Sequence, residues 1–351
     1  MPYHPIHVGI IGAGMSAQVF HLPTLLTTPA MQVTHIVARQ PPTFALPPHI
    51  SVLPTVEALL NTPTLDLVII ATPNITHYPF AKQALLAGKH VVIEKPFTNH
   101  VVEAQELITL AKRQNRLLSV YHNRRWDGDF LTVKHILASG WLGQWVSFES
   151  RFDRFRPQLK ANAWREQNLP GSGVLFDLAP HLIDQALQLF GMPKTLRADL
   201  QTQRDGAIVD DFFDVWLGYG TLQVRLSAGM LVRDVSPRFA VRGTQGIFTK
   251  YGLDPQEARL KAGELPTASD WGQEPAEHWG HLQAECNGLH VQGQVKTLAG
   301  NYPAFYRNIA AVLNGQAELA VQPEQALQVM QLLEIAHQSN SKGETVTIEY
   351  T

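Results

Sequence analysis

Asp177, His181 and Lys95 are the side chains whose types and surroundings suit proton handling at a hydroxyl or carbonyl. Asp177 and His181 are four residues apart in the run Pro170-Gly171-Ser172-Gly173-Val174-Leu175-Phe176-Asp177-Leu178-Ala179-Pro180-His181. On a helix that spacing makes them neighbours on one face. A carboxylate beside an imidazole raises its basicity, which suits a general base taking a hydroxyl proton. There is a plainer reading. Leu175, Leu178, Leu182, Ala186 and Leu189 form an apolar stripe, so Asp177, His181, Asp184 and Gln188 could be the solvated side of an amphipathic helix. Periodicity by itself favours that reading. Pro180 would remove one backbone bond from such a helix and free the Phe176 carbonyl. Lys95 lies in Glu94-Lys95-Pro96, which closes an apolar strand-like run. An ammonium there is costly unless solvent or a ligand receives it, and Pro96 constrains the turn. It could polarise a carbonyl or hold a hydroxyl, or it could be a solvated loop lysine.

A second group of residues suits an anion. Gly12-Ala13-Gly14-Met15-Ser16-Ala17 follows the apolar run His7-Val8-Gly9-Ile10-Ile11. Gly12 permits a tight turn out of a strand, and Gly14 lets backbone approach a dinucleotide pyrophosphate. Ala17 keeps the next helix close to its sheet, so that helix offers free N–H groups and a partial positive charge. Glycine-rich turns are common, and an ordinary one is the competing reading. The strand-before, helix-after context turns the pattern into an expectation. Ala71-Thr72-Pro73-Asn74-Ile75-Thr76-His77 closes another strand and opens another helix. Ligands of open parallel sheets lie beyond the carboxyl ends of the strands, so Thr72 and Asn74 would face the nucleotide; plain turn and capping chemistry explains the same residues.

These residues need a scaffold, and the rest of the chain supplies one. Strands are expected at Ile6–Ile11, Val33–Ala38, Ile50–Leu53, Leu67–Ala71, His90–Ile93 and Leu117–Tyr121. Helices are expected at Ala17–Leu22 (stopped by Pro23), Val56–Asn61, Thr76–Ala87 and Val101–Gln114. Near-continuous Val/Ile/Leu strands alternating with helices indicate a doubly wound parallel α/β sheet, a Rossmann domain over residues 1–123. Four prolines between Arg39 and His49 replace one crossover helix with an irregular connection. Residues 124–351 change in texture. Helices are expected at Phe130–Ser139 and Val174–Phe190, and strands at Trp145–Phe155, Val215–Tyr219, Thr221–Ser227, Arg238–Arg242 and Thr345–Tyr350. Successive strands without helices between them indicate a large, open, mostly antiparallel sheet in an α+β domain. Asp254–Gly293, polar and rich in turns, carries little pattern.

Composition narrows the function classes. Hydrophobic residues make up 45% and charged residues 17%, enough apolar material for two cores. The net charge of −2 predicts no nucleic-acid or anionic-membrane footprint. One cysteine, Cys286, excludes an intrachain disulfide and cysteine-based metal sites. The histidines show no His-Glu-x-x-His or similar tight spacing, so no metal is expected. The chain lacks a basic leader and any apolar run of roughly 20 residues, which makes the cytoplasm the expected location.

Taken in order, Gly12-x-Gly14-x-x-Ala17, Thr72-Pro73-Asn74-x-x-His77, Ala87-Gly88-Lys89-His90-Val91, Glu94-Lys95-Pro96 and Asp177-x-x-x-His181 resemble the glucose–fructose oxidoreductase/inositol dehydrogenase/rhizopine-catabolism (Gfo/Idh/MocA) family across essentially the whole chain. Phe20-His21-Leu22-Pro23, Asn123-Arg124-Arg125-Trp126-Asp127 and Trp164-Arg165 with Pro170-Gly171-Ser172-Gly173 resemble its bacterial scyllo-inositol dehydrogenase-like branch. The resemblance implies hydride exchange between a nicotinamide and a secondary alcohol of a cyclitol or sugar, in a homodimer or homotetramer. It implies that Lys95 binds the reacting hydroxyl, that His181 is the acid/base, and that Asp177 orients the substrate and His181. Met15, Ser16, Pro73, His77, Glu94, Lys95 and Asn123 would line the nucleotide, with Trp164 and Arg165 near its nicotinamide end. The solvated-face reading of Asp177 and His181 is then displaced. Cofactor choice has its own physical argument. NAD-selective sites place an acid at the end of the second strand, where this chain reads Val37-Ala38-Arg39-Gln40. Arg39 can pair with a 2′-phosphate and stack on adenine, so NADP(H) is expected in preference to NAD(H). The alternatives are a nucleotide-sensing protein without catalysis and a reductase of a non-sugar substrate on the same scaffold.

Overall fold

The computed structural model describes residues 5–160, 163–234 and 236–349, which divide into two compact units. The first comprises residues 1–126, 255–271 and 301–327; the second comprises 127–254, 272–300 and 328–351. Two segments that follow position 124 in sequence therefore belong with the first unit. Their packing explains why. Phe305, Tyr306, Ile309 and Ala310, on the helix Pro303–Leu313, are buried in one cluster with Val8, Ile10, Leu25 and Tyr121. Hydrogen bonds add to that attachment: Arg125 donates to the Ala320 carbonyl (2.7 Å), and the buried Ser119 hydroxyl donates to the Val321 carbonyl (2.9 Å).

The first unit is built on six parallel strands: β1 (Ile6–Ile11), β2 (Met31–Val37), β3 (Ser51–Leu53), β4 (Leu67–Ile70), β5 (His90–Ile93) and β6 (Leu118–Val120). Their order is β3-β2-β1-β4-β5-β6, so the direction of winding reverses between β1 and β4. Every residue of β4 is buried, as a parallel sheet covered on both faces requires. Burying each such aliphatic side chain contributes about 1.5–3 kcal/mol. Residues 38–50 form the irregular connection that their prolines predict.

One expectation fails in the first helix. Pro23 does not end it. The chain makes a π-helical turn over Ala17–His21 and continues as α-helix through Leu22–Leu26. The Leu22 N–H reaches back five residues to the Ala17 carbonyl. Pro23 has no N–H to place, and the widened turn accommodates its ring where a regular turn would clash with the carbonyl four residues earlier.

The second unit holds nine strands: β7 (Trp145–Arg151), β8 (Thr195–Gln201), β9 (Phe212–Tyr219), β10 (Leu222–Gly229), β11 (Phe239–Gly243), β12 (Gly246–Lys250), β13 (Gly280–Cys286), β14 (Leu289–Val295) and β15 (Val346–Thr347). The order is β14-β13-β12-β11-β7-β10-β9-β8-β15, antiparallel except for the β7/β10 pair. The segment 254–293, unreadable in sequence, contains the helix Gln256–Lys261 and most of the β13/β14 hairpin. The last expected strand shrinks to β15, and Tyr350 lies outside the described residues. Helix Gly173–Phe190 packs on β9 and β10. Among the described residues no helix is long and apolar enough to cross a membrane.

Candidate active site

In the first unit the chosen residues gather at the carboxyl ends of the parallel strands. β1 delivers the chain into the glycine turn, where the Gly12 N–H donates to the Val37 carbonyl at 3.0 Å. Gly12 has φ +106°, and a Cβ there would stand 2.6 Å from the Ala71 carbonyl oxygen, so both conformation and space demand glycine. At Gly14 a Cβ would meet nothing within 4 Å. The turn thus opens onto free space at a helix amino end, which fits the pyrophosphate of a dinucleotide. Met15 is exposed beside it, and Ala17 is fully buried against the sheet. Arg39 stands exposed just beyond β2, and Asn123 is buried just beyond β6.

Beyond β4, Pro73 precedes the short 3₁₀ turn Asn74–Thr76; the Thr76 hydroxyl donates to the Pro73 carbonyl at 2.7 Å and is hydrogen-bonded to the Thr72 hydroxyl at 2.7 Å. Asn74 is buried. His77 is buried as well, with Nδ1 at 2.8 Å from the Pro96 carbonyl and Nε2 at 3.0 Å from the Thr72 carbonyl. Burial pulls its pKa below the ordinary histidine value. It braces the turns that follow β4 and β5.

Glu94 and Lys95 follow β5, and the Lys95–Pro96 peptide is cis. Glu94 is 9% exposed and turns inward. Its carboxylate accepts from the Ser16 hydroxyl, from the Lys95 N–H at 3.0 Å and from His21 Nε2 at 3.0 Å. Burial pushes this carboxyl up, but the His21 hydrogen bond and charge, Lys95 and Ser16 outweigh it and hold it at about 2. His21 is wholly buried, with Nδ1 at 2.6 Å from the Tyr306 hydroxyl and its ring 4.4 Å from that of Tyr121.

The second unit carries Asp177, His181, Trp164 and Arg165. The helix Gly173–Phe190 is buried nearly all round: His181 is 6% exposed and Asp184 2%. That removes the solvated-face reading. Pro180 sits inside the helix without breaking it. Asp177 is partly open and pairs with Arg165 at 3.1 Å, and the Arg165 guanidinium lies 4.6 Å from the Trp164 ring centre. His181 meets the Phe152 ring edge-on at 6.3 Å, and Phe152 in turn carries the Arg238 guanidinium at 4.0 Å. Arg238 donates to Gln185, one turn beyond His181, at 2.8 Å.

The start of this helix is held from outside. Asp210 accepts from the Leu175 N–H at 2.7 Å and fills the space where a Gly173 side chain would go; Gly173 has φ +84°. Burial raises the Asp210 carboxyl to about 6, against the lowering effect of its backbone hydrogen bonds. The adjacent Asp211 pairs with Arg204 at 2.9 Å, and Arg204 pairs with Glu166 at 2.8 Å, next to Arg165. Sequence patterning missed Phe152, Gln185, Arg204, Asp210 and Arg238. It noted His21 only as part of a motif and did not single out Tyr306.

Comparison with known proteins matches this chain to two family models. One, described as "Oxidoreductase family, NAD-binding Rossmann fold", covers residues 6–122; the other, "Oxidoreductase family, C-terminal alpha/beta domain", covers 134–348. The uncharacterized oxidoreductase YdgJ of Escherichia coli K12 is 45% identical, covering 98% of this chain and 99% of that one. The scyllo-inositol 2-dehydrogenase (NADP(+)) IolW of Bacillus subtilis is 37% identical over 98% of this chain and 96% of its own. The solved structure of an oxidoreductase from Yersinia pestis superposes with a TM-score of 0.94 at 42% identity, covering 99% of this chain and 98% of that one. With a Rossmann sheet, a large antiparallel sheet and matches along both units, the chain belongs to the Gfo/Idh/MocA oxidoreductase family.

Proposed function

We propose that this protein is an NADP(H)-dependent dehydrogenase or reductase acting on a secondary alcohol or ketone of a cyclitol or sugar. The observation that carries the reading is the convergence, at the carboxyl ends of β1, β4 and β5, of an open glycine turn with Lys95. The buried helix bearing Asp177 and His181 supports it. So does the likeness to IolW, whose name gives it an NADP-linked inositol activity. The bound nicotinamide would supply or accept the hydride. Gly12, Gly14, Met15, Ser16 and Ala17 would hold the pyrophosphate, and Thr72, Pro73, Asn74 and Asn123 would flank the nucleotide. Arg39 would take the 2′-phosphate. Lys95 donates a hydrogen bond to the reacting oxygen and stabilises the negative charge it gathers. His181 takes the hydroxyl proton in oxidation and returns it in reduction. Asp177 orients the substrate hydroxyls and the imidazole. Trp164 and Arg165 would sit toward the nicotinamide end.

The test follows NADPH consumption against a panel of inososes and keto-sugars. Lys95→Ala and His181→Ala are each expected to lower kcat by about a thousandfold and leave NADPH affinity within about threefold of wild type. Unchanged turnover in both variants would sink the role assignments. A wild type that binds NADPH yet turns over no member of the panel would favour a nucleotide sensor or a non-sugar reductase.

A further inference from the structure

His21 joins two segments that the proposed function uses, yet it touches neither bulk solvent nor open space. It sits at the end of the π-helical turn Ala17–His21, fully buried, and its two ring nitrogens face two different partners. Nδ1 is 2.6 Å from the Tyr306 hydroxyl and Nε2 is 3.0 Å from Glu94 Oε1. One end of this chain of bonds can be assigned. Glu94 is an ionised acceptor taking three donors, so the hydrogen between it and the ring is on His21 Nε2. At the other end, burial drives the Tyr306 phenol well above its ordinary pKa, so its hydroxyl keeps its hydrogen and meets Nδ1. Hydrogen bonds therefore link Tyr306 to His21 and His21 Nε2–H to the Glu94 carboxylate.

Glu94 is where this chain meets the site. One oxygen takes the Ser16 hydroxyl of the glycine turn, and the other takes the backbone N–H of Lys95. A single buried carboxylate thus fixes the turn meant for the pyrophosphate and the backbone of the lysine meant for the substrate. Left with two donors instead of three, it would keep its charge in a buried place and gain freedom to rotate away from Ser16 or Lys95. The π turn makes the third donor available. It inserts one residue into the helix just before Pro23, so His21 points inward to Glu94 and Tyr306.

We propose that His21 is a positioning residue that, held by Tyr306, fixes Glu94 and through it the nucleotide turn and Lys95. The inference rests on the nucleotide-binding part of the function proposed above and is tested without any substrate. NADPH is titrated into the full chain by fluorescence, for wild type, His21→Ala, His21→Gln and Tyr306→Phe. His21→Ala should weaken NADPH about tenfold, the worth of one hydrogen bond to a charged group. His21→Gln can accept from Tyr306 and donate to Glu94, so it should recover affinity to within about threefold of wild type. Tyr306→Phe should weaken binding about threefold. Nitrogen-15 NMR of labelled histidine should show a hydrogen on His21 Nε2. If His21→Ala fails to fold, Tyr306→Phe, His21→Gln and the NMR tautomer decide the matter. The proposal is overturned by wild-type affinity in His21→Ala or Tyr306→Phe, by His21→Gln binding no better than His21→Ala, or by an Nε2 found without a hydrogen. Turnover plays no part: a wild type that binds NADPH but turns over no inosose or keto-sugar counts against the proposed substrate class and leaves this inference standing.

Discussion

In the proposed nucleotide site, Arg39 and Glu94 would act in very different ways. Arg39 projects from the end of β2 into solvent, where an acid would otherwise select a free ribose hydroxyl. Its replacement by alanine is expected to weaken NADPH by about tenfold or more and leave NADH nearly unchanged, because only the phosphate ester loses a partner. Parallel titrations of the two nucleotides check this; equal effects on both would place the 2′-phosphate elsewhere. Glu94 works from below, buried and charged. Residues of the first kind are legible from sequence, since an arginine after the second strand of an alternating α/β pattern has one obvious neighbour. Local spacing left Lys95, Asp177 and His181 open to plainer readings, and only the family resemblance pointed to a role for them. Tyr306 was not legible. Its partner His21 lies 285 positions away, and no local pattern encodes a contact across that separation.

Among the elements, the helix Gly173–Phe190 depends on a cap that comes from another part of the chain. Asp210 holds its amino end, and burial raises that carboxyl from an ordinary 3.8 to about 6. The folded chain therefore binds this proton more tightly than the unfolded one does. The contribution of Asp210 is greatest below about pH 4 and falls by about 3 kcal/mol at most as pH rises to about 6. Asp210→Asn keeps an acceptor for Leu175 and loses the titration. Thermal melts should show the variant gaining on wild type between about pH 4 and pH 6; a constant offset at both would refute this. Glu94 and Glu257, each held at about 2, act in the opposite sense: their contributions are lost as pH falls below about 4.5. Continuous apolar runs made the parallel strands readable to within a residue or two. The first helix was misread because Pro23 signals a stop in a regular helix, and only a π turn lets the chain carry on past it. The 254–293 segment gave little because the alternation in β13 and β14 is diluted by small residues (Gly280, Ala284, Gly293), and β14 is mostly exposed.

At the scale of the whole chain, the first unit is discontinuous. Its floor is completed by Phe305 and Tyr306, and Arg124 reaches Glu257 at 2.5 Å to hold the 255–271 segment. Phe305→Ala would leave a cavity among Tyr121, Trp126 and Tyr306 and cost about 3–5 kcal/mol, read by denaturant melts. A fragment of residues 1–126 contains every strand of the parallel sheet but not Tyr306. It should melt without cooperativity and bind NADPH at least about tenfold more weakly than the full chain; a fragment with full affinity would contradict this. The same arrangement has a consequence for synthesis. Ribosomes add about 5–20 residues per second, so the roughly two hundred residues between Tyr121 and Tyr306 take about 10–40 s to appear. Through that interval the nascent nucleotide-binding unit presents an open aromatic floor and an unfinished polar chain at His21. The growing polypeptide therefore leaves apolar surface uncovered for a time set by the order of its segments along the message rather than by the stability of the finished protein.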